Sequence, residues 1–135
     1  MFTKNPYITK REIKGRLVVV LDGKFEERKL RLIAPISRCI CTNEIHELII
    51  TDEDARPGMQ VNKIAYLGFV EIEQGSVMVV GDELLLGDRL IGTIAGFDET
   101  HMPNHLNIVI KATERRTGLE LSAEVAMPVC VIQKI

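Results

Sequence analysis

The feature that most constrains this chain is its punctuation. From Ile13 onward, runs of Val, Ile and Leu are broken at short, regular intervals by turn-forming groups: Asp22-Gly23, Arg56-Pro57-Gly58, Gln74-Gly75, Gly81-Asp82, Gly87-Asp88 and Thr117-Gly118. Each supplies a residue that tolerates positive φ or presets a turn φ. Short β-branched runs bounded this way read as strands, and their spacing is that of a barrel or sandwich. Strands are expected over 14–21, 29–33, 47–50, 61–72, 76–80, 89–97, 106–112, 120–125 and 129–133. The only acidic stretch that could start a helix, Asp52 to Ala55, is cut off within about a turn by Pro57-Gly58 and reads as a loop.

A chain of 135 residues fits one domain and can bury roughly two thirds of its unfolded surface without disulfide or metal staples. The expected fold is all-β: a single closed or nearly closed β-barrel of short antiparallel strands over residues 1–135, with 1–12 as an N-terminal arm. Gly92 and Gly96, four apart, are expected to share one face of their strand and to permit a bend or close backbone approach. Strands with free edges make a homo-oligomer, a homodimer first, a candidate assembly.

Composition narrows the partners. The net charge is −2 and basic residues are interleaved with acidic ones, as in Lys24 to Lys29, so no electrostatic footprint for nucleic acid is present. There is no Trp, and the six Phe and Tyr residues are scattered, which leaves little for a base-stacking platform. No segment has the length and apolarity of a signal peptide or a membrane span. Three cysteines without a framework read as buried thiols in a reducing compartment, with Cys39 and Cys41 packed in the core; the expected location is cytoplasmic. The partner is then a small molecule or a protein.

Chemistry is densest between Gly96 and Asn107, where two histidines, two carboxylates and two amides fall within a dozen residues between plain strand sequences. Asp98, His101 and His105 are the candidate ligands of a divalent metal, with Glu99 as general base. Geometry sets a condition. In an extended strand the two histidines would stand about 13 Å apart, and Pro103 opposes a helix between them, so joint action requires a tight turn at Met102 to His105. Without a metal, Thr100, Asn104 and Asn107 are the candidate ligand-binding residues, and the same side chains could equally satisfy their own loop backbone.

The third histidine, His46, lies outside that loop. Alternation places it on the face shared with Leu48 and Ile50, the expected core side. The alternative is a nucleophile at a barrel mouth, its ring oriented by Glu44 or Glu47. Arg115-Arg116 falls in an expected hairpin tip, 112–118.

The segment Gly87 to Phe97, followed by Asn104 to Ile110, together with Ile45-His46-Glu47-Leu48 and Pro57-Gly58, resembles the glucitol/sorbitol-specific IIA component of the bacterial sugar phosphotransferase system. The resemblance implies a closed β-barrel and makes His46 the match to that family's phosphoryl-accepting histidine. The family's glycine after that histidine is absent here, and Asn104 replaces the glycine before His105. Three functions therefore stand as expectations: a small-ligand- or partner-binding barrel, a metal-dependent enzyme using the Asp98 to His105 loop, and a phosphocarrier-like protein using His46.

Overall fold

The computed structural model describes residues 10–134, so most of the expected N-terminal arm, residues 1–9, lies outside the described residues. The elements are β1 (Ile13–Val20), β2 (Lys24–Phe25), β3 (Leu30–Arg31), β4 (Ser37–Ile40), β5 (Ile45–Thr51), β6 (Gln60–Val61), β7 (Ile64–Gln74), β8 (Ser76–Val79), β9 (Glu83–Leu86), β10 (Arg89–Asp98), β11 (Asn107–Lys111) and β12 (Pro128–Ile132). Among the described residues there is no helix, hence none long and apolar enough to cross a membrane.

Seven strands pair in the order β1-β12-β9-β10-β11-β5-β7, and β1 also pairs with β7, which returns the sheet to its first strand. The all-β expectation holds, with two corrections to its detail. First, β5 and β11 run parallel, Glu47 beside Asn107 through Thr51 beside Lys111, whereas only antiparallel pairs were expected. No local pattern records this pairing, because the partners are about sixty residues apart in sequence and meet only when the ring assembles. Second, the strand expected over 61–72 is divided, β6 ending at Val61 and β7 running from Ile64 to Gln74.

The apolar runs Leu48-Ile49-Ile50 and Ile108-Val109-Ile110 are continuous because both faces of β5 and β11 are covered. Leu48, Ile50, Ile108 and Ile110 point into one core, to which every strand of the ring contributes. Ile49 and Val109 point the other way, into a smaller core closed by Leu30, Leu32 and Val61 from the β3–β6 pair. Each fully buried Leu or Ile contributes roughly 1.5–3 kcal/mol.

Register shifts in β10 between Leu90 and Gly92 and between Ile94 and Gly96 bend that strand. A Cβ on Gly92 would fall 2.2 Å from the Lys111 carbonyl oxygen, while one on Gly96 would press on Leu32 at 3.0 Å. Both glycines permit close approach, as expected. They meet different neighbours, however, because the extra residue at Ala95 breaks the strict alternation that would place them on one face.

Three further expectations are corrected. The segment 120–125 is not a strand: Leu121, Ser122 and Ala123 donate to the carbonyls of Thr117, Leu119 and Gly118, and local turns use the backbone groups a ladder would need. Residues 112–118 consequently form no hairpin tip; Arg115 reaches the Phe25 carbonyl and Glu26. Cys39 and Cys41 are exposed, since β4 pairs only with β8 in a separate two-stranded ribbon and leaves that face open.

Candidate functional site

Strand register places four side chains in one transverse row. Phe69 of β7 stands opposite Glu47 of β5, Glu47 beside Asn107 of β11, and Asn107 opposite Asp98 of β10. Glu47, Asn107 and Asp98 are 7%, 0% and 2% exposed. A carboxylate, an amide and a second carboxylate thus lie buried side by side, an expensive arrangement unless each is hydrogen-bonded. Loop 99–106 roofs the row.

At one end Asp98 is fully served. Its Oδ1 accepts from the Thr100 backbone N–H at 2.9 Å and from Asn107 Nδ2 at 3.1 Å, and its Oδ2 accepts from the Arg31 N–H at 2.9 Å. Burial pushes the carboxyl upward, but these hydrogen bonds outweigh it and hold Asp98 below the usual carboxylate range. The expected metal set is therefore not assembled: Asp98 is spent on its own loop and on the 30–32 segment. Among the described residues no three His, Cys, Asp or Glu side chains are gathered to hold an ion. Glu99, the expected general base, is exposed on the loop and paired with Arg38.

The loop does make the tight turn that joint action of the histidines requires. Asn104 and His105 both donate their backbone N–H to the His101 carbonyl, at 2.9 and 3.3 Å, and the two imidazole centroids lie 5.0 Å apart. The peptide before Pro103 is cis. The His105 ring meets Phe69 edge-on at 5.1 Å and turns Nδ1 to Asn104 Oδ1 at 2.8 Å. Its Nε2 then faces Glu47 Oε1 at 3.4 Å, not aligned as a hydrogen bond.

Glu47 contrasts with Asp98. Burial pushes its carboxyl above the ordinary range, against the pull of His105, His101 and Arg28. Two buried polar atoms here, His105 Nε2 and Asn107 Oδ1, have no hydrogen-bond partner among the described residues. With Nδ2 committed to Asp98 on β10, the planar Asn107 amide turns its oxygen away from that bond. Beyond the two histidines stands Arg28, whose Nε donates to the Tyr66 hydroxyl at 2.8 Å and whose Nη2 lies 3.4 Å from His101 Nε2.

His46 lies on the core side, as alternation predicts, and is 6% exposed. The Leu106 backbone N–H donates to its Nδ1 at 3.0 Å, which leaves the ring proton on Nε2, 3.0 Å from Glu44 Oε1. Glu44 is thus the residue that orients this ring. Burial raises its carboxyl, but the Cys41 N–H and His46 outweigh it and hold it low. With Leu106 tied to His46 and the Glu47 N–H donating to the Leu106 carbonyl, the end of the His101–His105 loop is clamped to β5. Thr100 and Asn104 are exposed on that loop.

Sequence reasoning did not find Arg28, Tyr66 and Phe69, and it took Glu47 only as a possible orienter of His46. The signal for Glu47 is a carboxylate directly preceding the apolar run Leu48 to Ile50, on the alternate face from His46.

Architecture and site together define an all-β protein, built on a seven-strand ring, with a polar row beneath a histidine loop. The chain belongs to a family of unknown function (DUF6917), whose model matches residues 7–132. No curated protein and no solved structure matches it.

Proposed function

We propose that this protein is a small-ligand-binding β-barrel whose ligand docks at the Glu47 end of the row, against His101, His105 and Arg28. The observation that carries this reading is the pair of buried polar atoms, His105 Nε2 and Asn107 Oδ1, that find no partner among the described residues and flank a buried carboxyl whose nearest donor, His105 Nε2 at 3.4 Å, is not aligned. Buried polar groups in folded proteins are nearly always paired, and exceptions mark functional sites or bound water and ions. Asp98, one strand away from Asn107, shows how readily this backbone supplies donors where the role is structural.

A thermal-shift screen of small metabolites tests the proposal. A ligand of this site raises Tm by mass action and loses that effect in His101→Ala and Glu47→Gln. Ligands that stabilise both variants as well as the parent bind elsewhere and contradict the assignment. The phosphocarrier reading carried by the resemblance at His46 has less support, because both ring nitrogens are engaged and a phosphoryl acceptor needs one of them free. Acid-labile phosphate that disappears in His46→Ala is the result that reinstates it.

A further inference from the structure

We infer that the ligand carries an oxyanion, a carboxylate or phosphate group, and that the guanidinium of Arg28 receives it beside His101. The inference rests on the ligand-site reading above and adds the chemical class. Five other arginines find carboxylates, Arg16 with Glu71, Arg38 with Glu99, Arg56 with Asp54, Arg115 with Glu26 and Arg116 with Glu114, and Arg89 donates to the Leu121 carbonyl. Arg28 is held instead by a phenol and an imidazole, through Nε and Nη2, and Nη1 finds no acceptor among the described residues.

No carboxylate among the described residues forms an ion pair with it. Asp98 is enclosed by its own three donors, Glu99 belongs to Arg38, and Glu47 is turned to His105. The Arg28 guanidinium is held through Nε by the Tyr66 hydroxyl at 2.8 Å, and its backbone N–H donates to the Asn62 carbonyl at 2.9 Å. A planar donor fork held beside two imidazoles, and in no ion pair with a carboxylate among the described residues, is suited to bidentate recognition of an oxyanion. Two aromatic neighbours, Tyr66 at Arg28 and Phe69 at His105, offer apolar surface for the rest of a small molecule.

The test is an NMR titration of protein labelled in its histidine rings, with inorganic phosphate, acetate, glycerol and Zn²⁺ as separate probes, at fixed pH and with sodium chloride holding ionic strength. The expected result is a saturable shift of the His101 and His105 resonances with phosphate or acetate. Its midpoint should rise about tenfold or more in Arg28→Met, the worth of a lost charged contact, less in Arg28→Lys, and not at all in Arg16→Met. Circular dichroism melts establish that each variant is folded. No saturation with either oxyanion, or an unchanged midpoint in folded Arg28→Met, overturns the inference. Saturation by glycerol or Zn²⁺ alone overturns the ligand class while upholding the ligand site; silence from all four probes counts against both.

Discussion

Asp98 and Glu47 occupy the two sides of Asn107 in one row, similarly buried, yet the fold treats them oppositely. Asp98 receives backbone N–H groups from Arg31 and Thr100 and the amide of Asn107, and its carboxyl is held low. Glu47 receives no donor of comparable quality, faces an unaligned imidazole nitrogen, and its carboxyl is pushed up. Burial alone does not decide whether an acid is structural or available for other work; the supply of fixed donors does. One end of the row closes the β10–β11 turn. The other is kept under-satisfied beside two histidines and an arginine.

The comparison breaks most easily at its structural end. Asp98→Ala leaves the Arg31 and Thr100 N–H groups and the Asn107 amide without their acceptor, and should cost about 3 kcal/mol or more in urea unfolding; a loss below about 1 kcal/mol would mean that water replaces the carboxylate freely. His46→Leu comes next, at about 2 kcal/mol, because the buried Leu106 N–H loses its acceptor. His46→Asn, whose side-chain oxygen can take the same hydrogen, should lose less.

Glu47→Gln has the opposite sign. A carboxyl raised in the folded state binds more protons there than in the unfolded chain, so its contribution to stability falls as pH rises from the unfolded value through the folded one. Gln removes that cost. Tm of Glu47→Gln should therefore match the parent in acid and exceed it at neutral pH, with the groups facing Glu47, namely His105, His101 and Arg28, setting where the gap opens. Asp98 behaves in reverse: its contribution is present above the unfolded carboxyl value and is lost as pH falls through the folded one. Smallest of all is Glu99→Gln, which removes an ion pair to Arg38 from an exposed loop position and should change stability by no more than about 0.5 kcal/mol.

Much of this could be read from residues, and the misses share a cause. Runs such as Leu17 to Val20 and Ile108 to Ile110 announced strands because alternation and turn pairs are local, and the Met102 to His105 turn was legible from Pro103 and Asn104. His46 fell on the core face for the same reason. The parallel β5–β11 pairing, the transverse row it creates, and the arrival of Arg28 and Tyr66 depend on partners far apart in sequence, and no local period encodes them. The structural holding of Asp98 was not legible because two of its three donors are backbone groups, which carry no residue signature. Glu83 to Leu86, between the turn pairs Gly81-Asp82 and Gly87-Asp88, is not among the expected strands, yet β9 pairs on both sides with β10 and β12.

The most direct test is a ¹³C NMR pH titration that follows the Asp98 and Glu47 side-chain carboxyls in the same sample. Asp98 should titrate below the ordinary carboxylate range and Glu47 above it, with Asp98 moving up toward that range when Asn107 is replaced by Ala and Glu47 moving still higher when His105 is replaced by Gln. Both groups titrating together, or in the reverse order, would contradict the division of the row into a structural end and a binding end.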